Sequence, residues 1–138
     1  MHPYLRALGI GAAAGSRTFT APAATLQAGG NVWAGLAMLA AAGEYVIDKL
    51  PKTPSRLEAA PFLGRLVSGG LCGGAVAARN DGSRAGGIVA GAIGAAAGAW
   101  LCAHGRAFVA ERGWPDLPAA LFEDAYAICL AQVVNKAM

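Results

Sequence analysis

Six apolar segments follow one another along this chain, with few charged side chains inside them. A helix that crosses the hydrocarbon core of a bilayer needs about 20 predominantly apolar residues. The third, fifth and sixth segments are long enough to cross, the fourth is marginal, and the first two are too short to cross alone. In order, the segments are Tyr4–Ala14, Phe19–Ala28, Asn31–Leu50, Phe62–Ala78, Arg84–His104 and Leu117–Val134.

The composition favours a membrane protein over a soluble domain. Hydrophobic residues make up 56% of the 138 residues and charged residues only 14%, whereas a soluble domain has about 25% charged residues. A small soluble protein has a large surface to cover with polar groups, and eleven basic and eight acidic side chains are too few to cover it. We therefore expect one integral membrane domain over residues 1–138, with the lipid bilayer as its partner. The basic residues are dispersed, which argues against a nucleic-acid partner.

A break between the first two segments, at Gly15–Thr18, is the main irregularity of the predicted fold. Across this break the two short segments could form one broken span or a re-entrant pair, or else a surface turn between two interfacial helices. Backbone that leaves helical geometry inside a membrane must be buried in protein or line a wet cavity. We expect an all-α, polytopic membrane helical bundle of four to five short Gly/Ala-rich helices, with one helix broken or re-entrant near Arg17.

Glycines recur at a spacing of four residues, which places them on one face of a helix. In lipid, helices associate through close backbone contact, and glycine permits that contact. The pattern predicts tight packing, within the chain or between copies, and a homo-oligomer is expected because so few short spans enclose little interior. The pairs are Gly11/Gly15, Gly69/Gly73, Gly70/Gly74, Gly87/Gly91 and Gly94/Gly98.

Two pairs of acidic residues lie within apolar segments. Glu44 and Asp48 are four residues apart, which puts both carboxylates on one helix face. Glu123 and Asp124 lie inside the last segment. Ionisable groups inside a membrane are costly, and they usually face the protein interior or a wet cavity with a partner. We therefore predict an ion- or ligand-binding site at these four residues. The alternative is that they lie near headgroup depth, where they cap a helix or neutralise an arginine.

Basic residues supply partners for this predicted site. Arg17 and Arg56 are expected to pair with the carboxylates or to bind an anionic group, and Arg65 and Arg106 are further partners. His104 could relay protons, because histidine titrates near neutral pH, or could simply lie at a helix end. The three cysteines have no metal-ligand spacing and are expected to be small buried core residues; they are Cys72, Cys102 and Cys129.

Three function classes fit these residues. The first is a transporter- or channel-like protein, in which carboxylates replace the hydration shell of a cation or accept a proton. The second is a membrane enzyme acting on a lipid or isoprenoid phosphate, in which carboxylates would hold a divalent cation such as Mg²⁺ as cofactor. The third is a structural or assembly subunit of a membrane complex. No hydrolase, phosphate-loop or zinc signature occurs, so the transporter-like class is preferred and enzyme activity is left open.

Four runs of sequence resemble the bacterial Domain of Unknown Function 4126 family. Gly15–Ala23 resembles its N-terminal motif, and Glu44–Arg56 its central pattern of Glu, Asp-Lys-Leu-Pro and Pro-Ser-Arg. Gly64–Gly69 is also similar, as is Pro115–Pro118 together with Glu123–Ala125, so the resemblance covers nearly the whole chain. It implies a small multi-pass protein of the bacterial inner (cytoplasmic) membrane and points to the same charged positions. It implies no activity and no substrate.

Overall fold

The computed structural model of this chain describes residues 2–17, 20–27 and 59–136. Within these residues the chain forms α-helices joined by turns, so the all-α prediction is confirmed for this part of the chain. The third apolar segment, Asn31–Leu50, lies outside the described residues. The helices are α1 (Pro3–Ser16), α2 (Thr20–Gln27), α3 (Ala59–Ala78), α4 (Arg84–Glu111) and α5 (Asp116–Lys136).

Three of these helices, α3, α4 and α5, are long and apolar enough to cross a membrane. The 28 residues of α4 extend over about 42 Å at 1.5 Å per residue, more than the hydrocarbon core of about 30 Å. Large apolar side chains cover the outer surface: Leu71 is 65% exposed and Phe122 is 76% exposed. In water such a surface would be unfavourable. The helices and their surface therefore indicate a membrane protein, as the composition predicts.

The helices α3, α4 and α5 alternate in direction, so the bundle has two ends. α1 and α4 run parallel. The Tyr4 hydroxyl lies 3.2 Å from Ser83 Oγ where both helices begin, and Gly15 in the last turn of α1 packs against the backbone of Ala95 and Ala99. Short turns join α4 to α3 and α5, which run in the opposite direction. We call the end where α1 and α4 begin the first end, and the end where α4 ends and α5 begins the second end.

Glycines bring three helices into backbone contact near the first end. A Cβ atom at Gly91 of α4 would collide with the carbonyl oxygen of Gly69 in α3. A Cβ at Gly11 of α1 would collide with the carbonyl oxygen of Gly91 itself. Only glycine allows α1, α3 and α4 to approach so closely at this point. The glycines at spacing four thus pack within the chain, which is one of the two arrangements that the sequence left open.

The helix α4 continues past His104, where its apolar segment ends, to Glu111. Gly105 does not stop it, because a glycine within a helix only weakens it. The stop comes at Gly113, which has a φ of +68°. Here the Gly113 N–H donates to the Ala110 carbonyl (3.0 Å) and the Trp114 N–H donates to the Val109 carbonyl (3.2 Å). This pair of bonds is a Schellman motif, which satisfies carbonyls that the helix leaves open.

The helix α2 turns back toward the first end. Its Thr25 carbonyl accepts a hydrogen bond from Arg79 Nη1 (3.0 Å), and Arg79 lies in the turn between α3 and α4 at the first end. Arg6, in the first half of α1, donates to the side chain of the neighbouring Asn80. The chain therefore runs into the bundle as α1 and returns as α2. Arg17 lies at the deep point between the two helices.

Candidate functional site: two arginine–carboxylate contacts and a cavity

Arg17 lies at the end of α1, where the backbone leaves helical geometry. Its φ of −143° and ψ of 117° are extended, and its N–H donates to the Ala13 carbonyl (3.0 Å). Ser16 Oγ donates to the same carbonyl at 2.9 Å. This carbonyl at the end of the helix therefore accepts two hydrogen bonds. The Arg17 side chain is only 1% exposed and is among the largest fully buried side chains. A buried guanidinium is stable only when it is paired and hydrogen-bonded.

Asp124 of α5 supplies a partner for Arg17. Arg17 Nη2 donates to Asp124 Oδ1 in a salt bridge, and the Asp124 side chain is 13% exposed. The contact joins the break after α1 to the third turn of a helix that is long and apolar enough to span. Two of the residues that the sequence selects, Arg17 and Asp124, thus meet in the interior of the bundle.

Glu123 contacts a different arginine on a different helix. Its Oε2 lies 3.1 Å from Nε of Arg106 in α4, and its side chain is 7% exposed. Adjacent residues of a helix point about 100° apart, so α5 directs Asp124 toward α1 and Glu123 toward α4. Arg106 also lies 4.0 Å from Oδ1 of Asp116, whose side chain is 71% exposed. Arg106 therefore stands between a buried carboxylate and an exposed one.

A cavity of about 660 Å³ opens between the second half of α4 and the first half of α5. Its lining is mostly apolar and includes Cys102 and Gly105 of α4. Arg106 and Glu123 are the charged residues among the described ones that line it. Of the described helices, α5 packs most closely on α1 and only lightly on α4, which leaves space between α4 and α5. Three aromatic residues among the described ones line the cavity: Trp114, Phe122 and Tyr126.

This cavity and its aromatic lining are not among the features that the sequence predicts. One feature of the sequence indicates the aromatic lining. Phe122 and Tyr126 are four residues apart, which places both on one helix face, and Glu123 directly follows Phe122. Arg106, one of several possible partners in the sequence, lies near two carboxylates, Glu123 and Asp116. Arg65 is also buried in α3, at 5% exposure.

Of the other predicted site residues, His104 is described, and it is not brought to these contacts. Glu44, Asp48 and Arg56 lie outside the described residues. His104 is exposed, its Nδ1 lies 2.9 Å from the Trp100 carbonyl, and its ring stacks on the Trp100 ring with a centroid distance of 4.0 Å. It lies within α4 and not at a helix end, and these contacts stay within its own helix.

The predicted burial of the three cysteines is confirmed only for Cys72. Cys72 is buried, Cys102 is intermediate, and Cys129 is exposed on α5. The reason is that apolar surroundings in a membrane helix do not distinguish a core face from a lipid face. Among the described residues, no group of three or more His, Cys, Asp or Glu side chains could hold a metal ion.

Comparisons with protein-family models, with curated proteins and with solved structures return no match to this chain. The resemblance to the Domain of Unknown Function 4126 family therefore stays a prediction that rests on the sequence motifs alone.

Proposed function

We propose that this chain is a small transporter- or channel-like membrane protein with a charged intramembrane site for a cation or a proton. The observation that carries the proposal is the contact between Arg17 and Asp124. A guanidinium that is 1% exposed lies at a helix break and pairs with a carboxylate inside an apolar helix. Intramembrane ionisable groups are expensive and commonly mark substrate or ion pathways.

The course of α1 and α2 supports this proposal. The two helices are too short to cross a bilayer alone, and α2 returns to the end where α1 begins. We propose that they form a re-entrant pair whose turn carries Arg17. Transporters commonly place their sites where helices are interrupted near the middle of the bilayer. Irregular backbone at that depth is tolerated only where it is buried in protein or lines a water-filled space.

The arginine contacts constrain how such a site would work. Asp124 and Glu123 each contact an arginine, so an incoming cation or proton must compete with that arginine for the carboxylate. Protonation of Asp124 would weaken its salt bridge with Arg17. The positive charge of Arg17 would then have to be balanced by other groups. Binding and rearrangement are then coupled, as alternating access requires. In this proposal Glu44, Asp48 and Arg56 serve the same site, and His104 takes no part in it.

The remaining parts of the proposal concern location and assembly. From the motif resemblance we propose that the protein lies in the bacterial inner membrane. The glycines near Gly91 already contact neighbouring helices within the chain. A homo-oligomer would therefore form through larger, outward-facing side chains such as Leu71 and Val67.

A double variant separates a functional pair from a structural one. Arg17→Gln/Asp124→Asn removes both charges but keeps side chains that can hydrogen-bond each other. The variant and the wild type are reconstituted into vesicles that contain a pH-sensitive dye, under gradients of H⁺, Na⁺ or K⁺. We expect ion movement in the wild type and none in a double variant that folds with a similar melting temperature. Equal ion movement in both proteins would refute the proposed site.

A structural or assembly subunit is the second candidate, and the same contacts favour it. An arginine–carboxylate pair that closes a helix break can hold a bundle together without any ligand. This alternative predicts no ion movement in the wild type, together with a large loss of stability in each single variant. The enzyme alternative receives no such support from the described residues.

A further inference from the structure

We propose that the cavity between α4 and α5 is a binding site for one acyl chain of a membrane phospholipid. The chain enters from the bilayer and packs between the two helices, where they contact each other only lightly. The site goes beyond the proposed function and does not depend on it. It rests on the course, opening, lining and volume of the cavity.

The cavity is a groove that runs parallel to both helices. On α4 its lining follows the spacing of a single helix face, with steps of three and four residues. The residues of α5 that line it are spaced in the same way, from Pro118 to Tyr126. The lining residues of α4 are Gly98, Leu101, Cys102, Gly105, Arg106 and Val109.

The length of the groove matches one leaflet of a bilayer. Val109 lies eleven residues after Gly98, which corresponds to about 16 Å at 1.5 Å per residue. Half of the hydrocarbon core of a bilayer is about 15 Å thick. The groove begins near Trp114 at the second end and continues toward the middle of the bundle. A chain that lies along it can therefore keep the orientation that it has in the surrounding leaflet.

The groove opens toward the lipid. Leu101 of α4 and Phe122 of α5 line the cavity and are also 59% and 76% exposed, so they lie where it opens. Both helices are long and apolar enough to cross a membrane, and large apolar side chains exposed on such helices face hydrocarbon. The groove is therefore continuous with the lipid-facing surface. An acyl chain can reach it without passing through water.

The lining suits a hydrocarbon chain. It is mostly apolar, and a hydrocarbon chain needs no hydrogen bond. A chain that fills the groove gains the dispersion contacts that an unfilled space lacks. At the second end of the groove lies Trp114, and tryptophan is enriched at membrane–water interfaces. The polar end of the lipid therefore lies near Trp114, outside the groove.

The charges at the second end have both signs, so they select no particular headgroup. Arg106 and Glu123 line the groove, contact each other at 3.1 Å, and interact with further groups. An acyl chain can pack against the methylene groups of such side chains without competing for their charges. The ligand is therefore defined by its chain. Other charged residues at this end are Arg65, Glu111, Arg112 and Asp116.

The volume of the groove argues against a helix as its occupant. An α-helix with its side chains is at least about 10 Å wide, so a length of about 16 Å fills roughly 1,300 Å³. The groove measures about 660 Å³, which is about half of that volume. A helix of a second copy could enter only if α4 and α5 moved apart. An acyl chain is thinner and flexible, and it fits without such movement.

Thermal unfolding of the full chain tests the choice of an acyl chain. The protein is purified without lipid in digitonin, whose rigid steroid body is wider than an acyl chain. The probes are dioleoyl-phosphatidylcholine, dioleoyl-phosphatidylglycerol and the short-chain dihexanoyl-phosphatidylcholine. A ligand that binds only the folded state stabilises it by mass action. We expect both dioleoyl lipids to raise the melting temperature by about 3 °C or more and the short-chain lipid to leave it unchanged.

Two results of this experiment would overturn the proposal. No rise with either dioleoyl lipid would show that the groove binds no acyl chain. A rise with dioleoyl-phosphatidylglycerol alone would show that the protein recognises an anionic headgroup instead of the chain.

A matched pair of variants locates the lipid. Gly105 lies in the middle of the lining on α4, and a Cβ atom there would meet nothing within 4 Å. Gly105→Trp should therefore fold and place its indole in the groove, so that dioleoyl-phosphatidylcholine no longer raises the melting temperature. Gly64→Trp is the control, because Gly64 also has open space at its Cβ position and lies outside the lining. An equal rise in both variants would place the lipid elsewhere and overturn the site.

A second readout leaves the lining unchanged. Cys102 lines the groove, and in a Cys129→Ser background its reaction with N-ethylmaleimide is followed by mass spectrometry of the intact protein. Dioleoyl-phosphatidylcholine should slow this reaction about tenfold, whereas the short-chain lipid should not. An unchanged rate would overturn the site. None of these measurements needs ion movement, so vesicles that move no ions would refute the transporter proposal and leave the lipid site standing.

Discussion

The two halves of α4 pack in opposite ways. Toward the first end, Gly87 and Gly91 bring the backbone of α4 against α1 and α3, with no room for a Cβ atom. Toward the second end, Gly105 faces open space, and Arg106 reaches across to α5 beside a cavity of about 660 Å³. One helix thus supplies both a tight backbone contact and the wall of a loosely packed, charged region.

This difference follows from what holds helices together in lipid. Apolar side chains gain little by leaving lipid for a protein interior, so association depends on close van der Waals contact between backbones. The glycine-rich half obtains that contact and should be rigid. The charged half is bridged by salt-bridge contacts of Arg106 beside a cavity and should be less rigid. Regions that move during function generally come from the less stable part of a structure.

The largest expected effect comes from adding a side chain to the tight half. Gly91→Leu would place a branched side chain where even a Cβ collides with the Gly69 carbonyl, so α3 and α4 would have to separate. Overpacking in a close-packed interior usually costs about 1–3 kcal/mol, and we expect at least that loss here. Thermal unfolding in detergent measures it. Gly64→Leu, on the open face of α3, is the control, and equal melting temperatures for the two variants would contradict the tight contact.

The next effect concerns the salt bridge between Arg17 and Asp124. Asp124→Asn alone leaves the Arg17 guanidinium buried without that carboxylate, and breaking a buried pair in this way typically costs about 3–5 kcal/mol in a water-soluble protein. We expect a loss below this range and below that of Gly91→Leu, because water reaches the loose half more easily in detergent. Arg17→Gln/Asp124→Asn should recover part of the loss. A double variant less stable than both single variants would show that the two charges do not act as a pair.

A smaller expected effect is a difference in reagent access to the tight and loose halves, which cysteine modification measures. Cys72 is 7% exposed and packs in the core with Val76, whereas Cys102 lines the cavity. In a Cys129→Ser background, N-ethylmaleimide should modify Cys102 and leave Cys72 unmodified until the protein is denatured. Mass spectrometry of the intact protein counts the added groups. Faster modification of Cys72 than of Cys102 would reverse the assignment of tight and loose halves.

The sequence predicts much of this fold because membrane helices have a simple composition. Long apolar runs mark α4 and α5, and the spacing of Gly69, Gly73, Gly87 and Gly91 marks the helix faces that meet. The sequence also selects Arg17 as the residue at a break. These features are local, since each depends on a short stretch of chain and on the general cost of polar groups in lipid.

The cavity could not be predicted in the same way. Of the described helices, α5 packs more closely on α1 than on α4, and no local pattern encodes which of two neighbours a helix prefers. The choice of partners for Glu123 and Asp124 has the same origin. Their adjacency suggests one shared site, but the helical turn between them directs each carboxylate to a different arginine. Likewise, Cys129 lies in an apolar stretch of sequence, yet it is exposed on α5.

The smallest expected effect is a change in stability at two glycines of the loose half, which differ in backbone conformation. Gly113 has a φ of +68° and ends α4, so Gly113→Ala forces an unfavourable left-handed conformation and should destabilise the protein by about 1 kcal/mol. Gly105 is helical with open space around it, so Gly105→Ala should stabilise α4 by up to about 1 kcal/mol. Chemical unfolding in mixed micelles measures both. The opposite signs matter more than the sizes: if both variants lose stability, the space at Gly105 is filled by a neighbour, and the second half of α4 is packed as tightly as the first.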